Sequence, residues 1–288
     1  MAEWLLVDGS SLIFRAYYGI PNTVKSPAGM PVNGIRGLLD MLARLITDRK
    51  PARLLVATDE DWRPRFRVDL LPSYKLHRVA EPIPDELSPQ VPIAWTVLGA
   101  VGLEVVGADG FEAEDVIASA ASRIDGTIEI VSGDRDLFAL VRDPVVSVLY
   151  PEGMGQLKVV DEAELARRYG IGGRQYADFA ILRGDPSDGL PGLPGVGPKK
   201  AADLLKRYGS VDGLLRDGNL RSADREYLER ARGVVPPVTD IPLQLPDCRL
   251  PVAPRDPARL EELRREYNLS GPVERLSRSL GFNQHDQP

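Results

Sequence analysis

Two short apolar runs, each closed by an aspartate, set the strongest limit on the fold of this 288-residue chain. Residues 4–8 read Trp-Leu-Leu-Val-Asp and residues 53–59 read Arg-Leu-Leu-Val-Ala-Thr-Asp, so Asp8 and Asp59 stand at equivalent ends. Short apolar runs of this kind suit strands buried on both faces. Between them Ile35, Leu38, Leu39, Leu42, Leu45 and Ile46 recur at the spacing of an amphipathic helix. The alternation continues with strands at 103–107, within 127–140 and at 145–153, and helices from Phe111 and over 161–170, the last ended by Gly170. A further helix is expected to begin near Ile93. This order predicts an α/β fold, a largely parallel sheet flanked by helices. In such sheets ligands bind at the carboxyl ends of the strands, where Asp8 and Asp59 fall. Asp8 can equally serve as the cap of the helix that follows it.

Acids recur at the ends of the later elements. Glu112, Glu114 and Asp115 crowd one helical first turn. The helix dipole welcomes an acid there, but three within four residues exceed what capping requires. After the strand in 127–131, Ser132 and Gly133 lead to Asp134 and Asp136, a pair spaced to face one pocket. Asp185 and Asp188 stand on a Gly/Pro-rich turn. Carboxylates drawn together repel one another, and divalent cations remove that cost. Only two histidines occur, neither near these motifs, so the donors are oxygens and the ions expected are Mg²⁺ or Mn²⁺ rather than Zn²⁺. Two such ions would support in-line displacement at phosphorus.

From about Arg174 the pattern turns helical. Gly192, Gly195 and Gly197 precede a helix opened by Pro198, Lys199 and Lys200. Unpaired N–H groups at such a start favour a phosphate, and the lysines add charge without reading bases. The plain alternative is a surface loop before a Pro-started helix. Residues 62–78 set Arg63, Arg65, Arg67, Lys75 and Arg78 against a single acid, Asp69, with Phe66 and Tyr74 interleaved. Cations and rings together suit an unpaired nucleic-acid strand, although a solvated basic loop has the same composition. The proline-rich stretch 80–92 reads as an exposed connection, a lid or gateway over a site. Residues 234–257 are too rich in proline for regular structure and are expected to wrap over the surface before two closing helices.

Composition excludes more than it selects. Hydrophobic residues at 43% and charged residues at 27% describe an ordinary soluble protein, and no stretch offers the run of about 20 apolar residues that a membrane helix needs. A single cysteine, Cys248, excludes an internal disulfide and fits a reducing, cytoplasmic setting. The N-terminus lacks the basic region of a signal peptide, so no membrane partner is expected. A net charge of −6 argues mildly against nucleic acid, but distribution outweighs the sum. Walker A, GxSxG, CxxC and HExxH patterns are missing from the sequence.

Five motifs, in order, resemble the 5′-nuclease superfamily. They are LLVDGSSLIFRAYY, the series Phe66, Arg67, Tyr74, Lys75 and Arg78, then FEAEDVIA, SGDRDLFAL and GDPSDGLPGLPGVGPKKAADLL. The chain is similar to bacterial flap endonucleases and 5′–3′ exonucleases, including the 5′-nuclease domain of DNA polymerase I, from residue 4 to roughly residue 245. No polymerase region follows, which implies a stand-alone nuclease, expected to be monomeric. The resemblance implies a PIN-like catalytic domain over 1–172. A helix–three-turn–helix DNA-binding domain with the C-terminal helices is expected over 173–288. By matching motif it implies metal-site roles for Asp8, Asp59, Glu112, Glu114, Asp134, Asp136 and Asp188, with Asp115 and Asp185 supporting. Lys75 and Arg78 match the residues that hold the scissile phosphate and the 5′ strand, assisted by Arg15 and Arg67. Gly195, Gly197, Lys199 and Lys200 match the duplex grip. A monovalent cation, K⁺, is implied on the carbonyls of Pro191, Leu193 and Val196. Glu114 departs from the family's usual Asp, and Gly189 from a frequent Asn. The implied activity is structure-specific hydrolysis of DNA at 5′ ends, flaps or junctions, leaving a 5′-phosphate and a 3′-hydroxyl. The alternatives are a PIN-type ribonuclease and a non-catalytic binder of DNA structures on the same fold.

Overall fold

The computed structural model describes residues 2–80, 83–152 and 155–282. Strand β1 (Trp4–Asp8) leads into α1 (Gly9–Gly19) and α2 (Asn33–Arg49), then β2 (Arg53–Ala57). Helices α3 (Arg65–Leu70), α4 (His77–Ala80) and α5 (Gln90–Val101) precede β3 (Glu104–Val106) and α6 (Ala113–Ala121). Strands β4 (Ile128–Val131), β5 (Val146–Glu152) and β6 (Gln156–Val160) follow, then α7 (Glu162–Tyr169). The remaining helices are α8 (Tyr176–Arg183), α9 (Pro198–Tyr208), α10 (Val211–Asp217), α11 (Ser222–Ala231), α12 (Pro257–Glu266) and α13 (Ser270–Ser279).

The strands form one sheet in the order β3-β2-β1-β4-β5-β6, parallel throughout except for β6 against β5. The chain works outward from β1 through β2 to β3, then crosses to β4 and β5. The switch point therefore lies between β1 and β4, where an open α/β sheet leaves a crevice at its carboxyl edge. Asp8 ends β1 and Asp134 lies just beyond β4, so both acids stand at that crevice. Alternate residues of β1 serve opposite cores. Leu5 and Val7 pack with α1, α2 and α5, whereas Leu6 packs with α6 and with helices α8 to α11. Burial on both faces is why these strands read as continuous apolar runs.

Helices α8 and α9, joined by a 3₁₀ turn (Pro186–Asp188) and a glycine-rich loop, form the hairpin expected after residue 173. Their apolar faces, Phe179, Ile181, Ala201 and Leu205, join the core beneath α6. The proline-rich strap runs along α6 and past β2 as expected. Val238 N donates to Asp115 (2.8 Å), and Leu54 N donates to the Cys248 carbonyl (2.8 Å).

Several features depart from the sequence reading, among them the short α3 and α4, for which the basic stretch 62–78 gives no helical expectation. The antiparallel β6 is additional; only Val160 of its five residues is buried, which leaves almost no alternation to read. The short α10 is likewise additional. The closing helices, expected with the second domain, cap the opposite face of the sheet. There Leu260, Leu263, Val273 and Leu276 are buried with residues of α2 and α5, and Arg275 pairs with Asp40 (2.8 Å). The expected gateway over 80–92 is described except at residues 81 and 82, and the strand reading of 145–153 exceeds the described residues at 153. Leu87 and Gln90 of the gateway segment are fully buried, and Gln90 Oε1 accepts from Gly34 N (2.8 Å), which anchors its C-terminal part to α2.

Candidate active site

A cavity of about 400 Å³ opens at the switch point, lined by Asp8, Asp59, Lys75, Arg78, Glu112, Glu114 and Asp134 together with Ser10, Ser11 and several aromatic rings. Each acid is placed by its element. Asp8 ends β1 and also caps α1, accepting from Ser11 N (2.8 Å) and from Ser132 Oγ (2.6 Å). Asp59 follows β2 and accepts from Ala113 N at the start of α6 (2.7 Å). Glu112 and Glu114 project from that helix start. Asp134 and Asp136 come from the turn after β4, where Asp134 Oδ1 accepts from Asp136 N (2.9 Å).

Oxygens of Glu114, Asp134 and Asp136 lie within 4.8 Å of one another, close enough to share one cation. The charge of Asp188 also acts on Asp136, which brings in the helical domain. Burial pushes the Asp8 carboxyl up to about 7, and the neighbouring charge of Asp59 adds to it. Burial also holds Glu114 and Asp136 well above the ordinary carboxylate range, with Asp134 and Asp188 repelling Asp136 further. Carboxyls raised together in this way lack positive charge, and an oxygen-only donor set of this kind fits divalent cations.

Two buried cations, Lys75 and Arg67, already reach the acids of α6. Lys75 is 1% exposed, with Nζ 2.7 Å from Glu112 and 3.8 Å from both Glu114 and Asp188. Burial opposes its charge, but Glu114 and Glu112 outweigh that and hold the ammonium well above its ordinary range. Arg78 lies at the cavity rim, its guanidinium donating to the Trp62 carbonyl (2.6 Å) and stacked over the Trp62 ring (5.8 Å).

Several expected site residues sit elsewhere. Arg67 does not face nucleic acid. It is fully buried and grips Asp115 with two nitrogens (2.8 and 2.6 Å), Glu112 (2.6 Å) and the Val234 carbonyl (2.9 Å). Asp115 accepts from Arg67 and from Val238 N, and an oxygen of it lies within 4.8 Å of oxygens of Glu112 and Glu114, so it braces α6 beside the acid cluster. Tyr74 is also buried, its hydroxyl donating to Glu112 (2.7 Å), and offers no stacking face. Arg15 lines a different cavity, between α1, α2 and the β5–β6 hairpin. Asp185 caps the 3₁₀ turn and pairs with Arg183 (2.8 Å), outside the cavity. Arg67 and Tyr74, read as surface chemistry, are thus turned inward to brace acids.

The expected duplex grip lies on the surface. Gly195, Gly197, Lys199 and Lys200 are exposed or nearly so, no atom stands within 4 Å of a Cβ at either glycine, and Lys200 donates to the Gly195 carbonyl (2.9 Å). The Leu193 carbonyl accepts from Val196 N (3.0 Å), which closes the loop that also carries Pro191. Residues the sequence did not single out also line the cavity: Phe14 and Tyr18 of α1, Trp62 and His77. Phe14 and Tyr18 are four apart, the spacing of one helix face, a pattern that core packing produces equally.

A doubly wound sheet with acids gathered at its switch point, joined to a helical hairpin with an open glycine loop, defines a carboxylate-centred nuclease scaffold. Residues 3–170 match the model of the 5′-3′ exonuclease N-terminal resolvase-like domain, and residues 171–256 match that of the 5′-3′ exonuclease C-terminal SAM fold. The chain belongs to the 5′-3′ exonuclease family. It is 47% identical over 299 residues to a 5′-3′ exonuclease of Streptomyces coelicolor, covering 96% of this chain and 99% of that one. A DNA polymerase I of Mycobacterium bovis is 40% identical over 257 residues, covering 84% of this chain and 28% of the polymerase. Among solved structures, the T5 D15 protein co-crystallised with metal ions superposes with a TM-score of 0.68 at 18% identity, covering 95% of this chain and 99% of that one.

Proposed function

We propose that this protein is a divalent-metal-dependent, structure-specific 5′ nuclease that hydrolyses DNA at 5′ ends and flaps. The observation that carries this reading is the convergence of Asp8, Asp59, Glu112, Glu114 and Asp134 on one cavity, with Asp136 and Asp188 behind it, beside a buried Lys75. The donors are all carboxylates, and Mg²⁺ or Mn²⁺ are the ions such oxygens select. Two ions bound there would stabilise the attacking and leaving oxygens of an in-line displacement at phosphorus.

The chain's own residues do the rest. The Lys75 ammonium and the Arg78 guanidinium offer donors to the scissile phosphate from the cavity wall. The exposed loop at Gly195 and Gly197, with Lys199 and Lys200, holds the duplex by its phosphates, so specificity follows structure rather than base sequence. The carbonyls of Pro191, Leu193 and Val196 would hold a K⁺, which would add positive charge for a phosphate at this loop. Terminal nucleotides must unpair to reach the acids, which costs a few kcal/mol and favours frayed or flapped ends. A monomer acting in the cytoplasm completes the reading.

The experiment is cleavage of a 5′-labelled flap duplex in Mg²⁺, in Mn²⁺ and in chelator. Metal-dependent release of a short labelled product ending in a 3′-hydroxyl is expected, with the new 5′-phosphate on the strand left in the duplex. Binding without cleavage in any metal would leave a non-catalytic binder, and preference for single-stranded RNA would leave a PIN-type ribonuclease.

A further inference from the structure

Lys75 stands in a left-handed backbone conformation, φ 44, which a residue with a side chain keeps only where its surroundings hold it. That angle is measured from the peptide plane joining Tyr74 to Lys75, so whatever fixes the plane sets the direction in which the lysine leaves the backbone. The plane is held at both edges. Its N–H donates to the Asp188 carbonyl (3.0 Å). Its carbonyl, that of Tyr74, accepts from Arg63 Nε (2.8 Å). Arg63 Nη2 also donates to the Pro72 carbonyl (2.8 Å), so one guanidinium spans the carbonyls on either side of Ser73. A planar fork of fixed donors suits that task, whereas an ammonium carries the same charge without the fork.

Arg63 is anchored in turn. Its N–H donates to Asp61 Oδ1 (3.0 Å), and the N–H groups of Glu60 and Asp61 donate to the Phe111 carbonyl (3.2 and 3.1 Å), just before Glu112. Asp59, at the other end of this segment, accepts from Ala113 N (2.7 Å). The segment that follows β2 is thus pinned to the start of α6. Its Trp62 holds Arg78 by carbonyl and ring, and its Arg63 holds the turn before Lys75. Lys75 lines the cavity and Arg63 does not.

We propose that Arg63 is a positioning residue for cleavage, a role that rests on the nuclease reading above. Its guanidinium ties the Lys75 turn to the segment that carries Asp59, and so keeps the Lys75 ammonium in a fixed place relative to the acids. The rival is direct contact with a DNA phosphate, which would need the charge of Arg63 and not its fork.

The test compares Arg63→Lys, which keeps the charge and loses the fork, with Arg63→Ala, which loses both. Single-turnover cleavage of the flap duplex, its Kd in chelator at several salt concentrations and amide hydrogen exchange at Lys75 are measured on each and on the parent.

Both variants are expected to cut the rate by about tenfold or more with Kd within about twofold, since an ångström of misplacement costs up to about a hundredfold. Both should speed exchange at the Lys75 amide and keep the parental salt slope. In a Lys75→Ala background, Arg63→Lys should cost less than about twofold further, the non-additivity of residues acting as a unit. Parental cleavage by Arg63→Lys, unchanged exchange at Lys75 or equal losses in both backgrounds overturns the proposal. A salt slope lowered by about 0.9 in Arg63→Ala and restored in Arg63→Lys also overturns it, in favour of the phosphate contact. Should Arg63→Ala or the double variant not fold, the rate and the exchange of Arg63→Lys decide; an Arg63→Lys that does not fold makes the residue part of the scaffold and overturns the proposal. Failure of the parent protein to cleave any flap would sink the nuclease reading instead, and exchange at Lys75 in Arg63→Lys would then decide whether Arg63 sets the turn.

Discussion

Arg67 and Asp115 form a bidentate pair in which both side chains are fully buried, with Nη1 and Nη2 at 2.8 and 2.6 Å from the two carboxylate oxygens. The pair ties α3 to the first turn of α6, and the same guanidinium holds Glu112 and the Val234 carbonyl. One cation thus anchors the helix that presents Glu112 and Glu114. Removing it would leave Asp115 without its cation and take one cation each from Glu112 and Glu114, which keep Lys75. Arg67→Ala is expected to lower unfolding free energy by about 3–5 kcal/mol in chelator. The salt dependence of DNA binding by the folded fraction should stay as in the parent. Denaturant unfolding and a salt titration check both, and a variant of parental stability with a reduced salt slope would return Arg67 to the DNA surface.

How far the sequence speaks depends on what kind of signal each residue gives. Asp8, Asp59 and Asp134 are legible because an acid closing an apolar run has one place to go in a parallel sheet. The hairpin and its exposed lysines are legible because glycines and a Pro-started helix are local signals. Arg67 and Tyr74 are not, because composition cannot tell which cation or ring of a basic stretch turns inward; on α3, Arg65 stays exposed while Arg67, two residues on, is buried. The closing helices read as part of the wrong domain because an amphipathic face says that it needs a cover, not which one. Their cover, α2 and α5, lies more than 150 residues back in the chain, a distance that no local pattern spans.

Asp8 gives a pH test. Its carboxyl, buried and beside Asp59, titrates near 7 against an ordinary 3.8. The folded state therefore holds this proton more tightly than the unfolded chain does. The stability it supports is complete below about pH 4 and is lost as pH rises through about 7. Each pH unit between those two values is worth about 1.4 kcal/mol, so the loss in metal-free protein is at most about 4 kcal/mol at pH 8. Asp8→Asn should remove that share of the pH dependence, leaving the part due to Glu114 and Asp136, whose pKa values are raised in the same direction. Urea unfolding in chelator between pH 5 and pH 8, read as about 1–3 kcal/mol/M slopes of ordinary size, provides the comparison. Parallel pH profiles for variant and parent would mean that Asp8 ionises freely.

Lys75 separates charge balance from catalysis. Its ammonium lies against Glu112, Glu114 and Asp188 together. Lys75→Ala should destabilise the chelated protein by about 3–5 kcal/mol, because the acids are left buried with less positive charge. Millimolar Mg²⁺ or Mn²⁺ should restore more stability to the variant than it adds to the parent, by mass action on a site of greater negative charge. Cleavage should remain slow even when stability is restored, with flap affinity little changed. Thermal unfolding with and without metal checks the first part. Equal metal-induced changes in Tm for both proteins would show that the ammonium does not balance the acid cluster.

Lys199 and Lys200 share a helix start but differ in their attachments. Lys200 donates to the Gly195 carbonyl and so shapes the loop, whereas Lys199 stands exposed with open glycines beside it. Each phosphate that the protein ceases to neutralise should reduce the slope of log K against log salt by about 0.9. Lys199→Ala is therefore expected to lower the slope by about 0.9 and weaken duplex binding at low salt. Lys200→Ala should do the same and in addition loosen the Gly195 turn, seen as faster amide exchange between Val196 and Ala201. At saturating flap duplex both variants should cleave near the parental rate, since neither residue lines the cavity. A double variant whose slope matches the parent would place the duplex on another face of the protein.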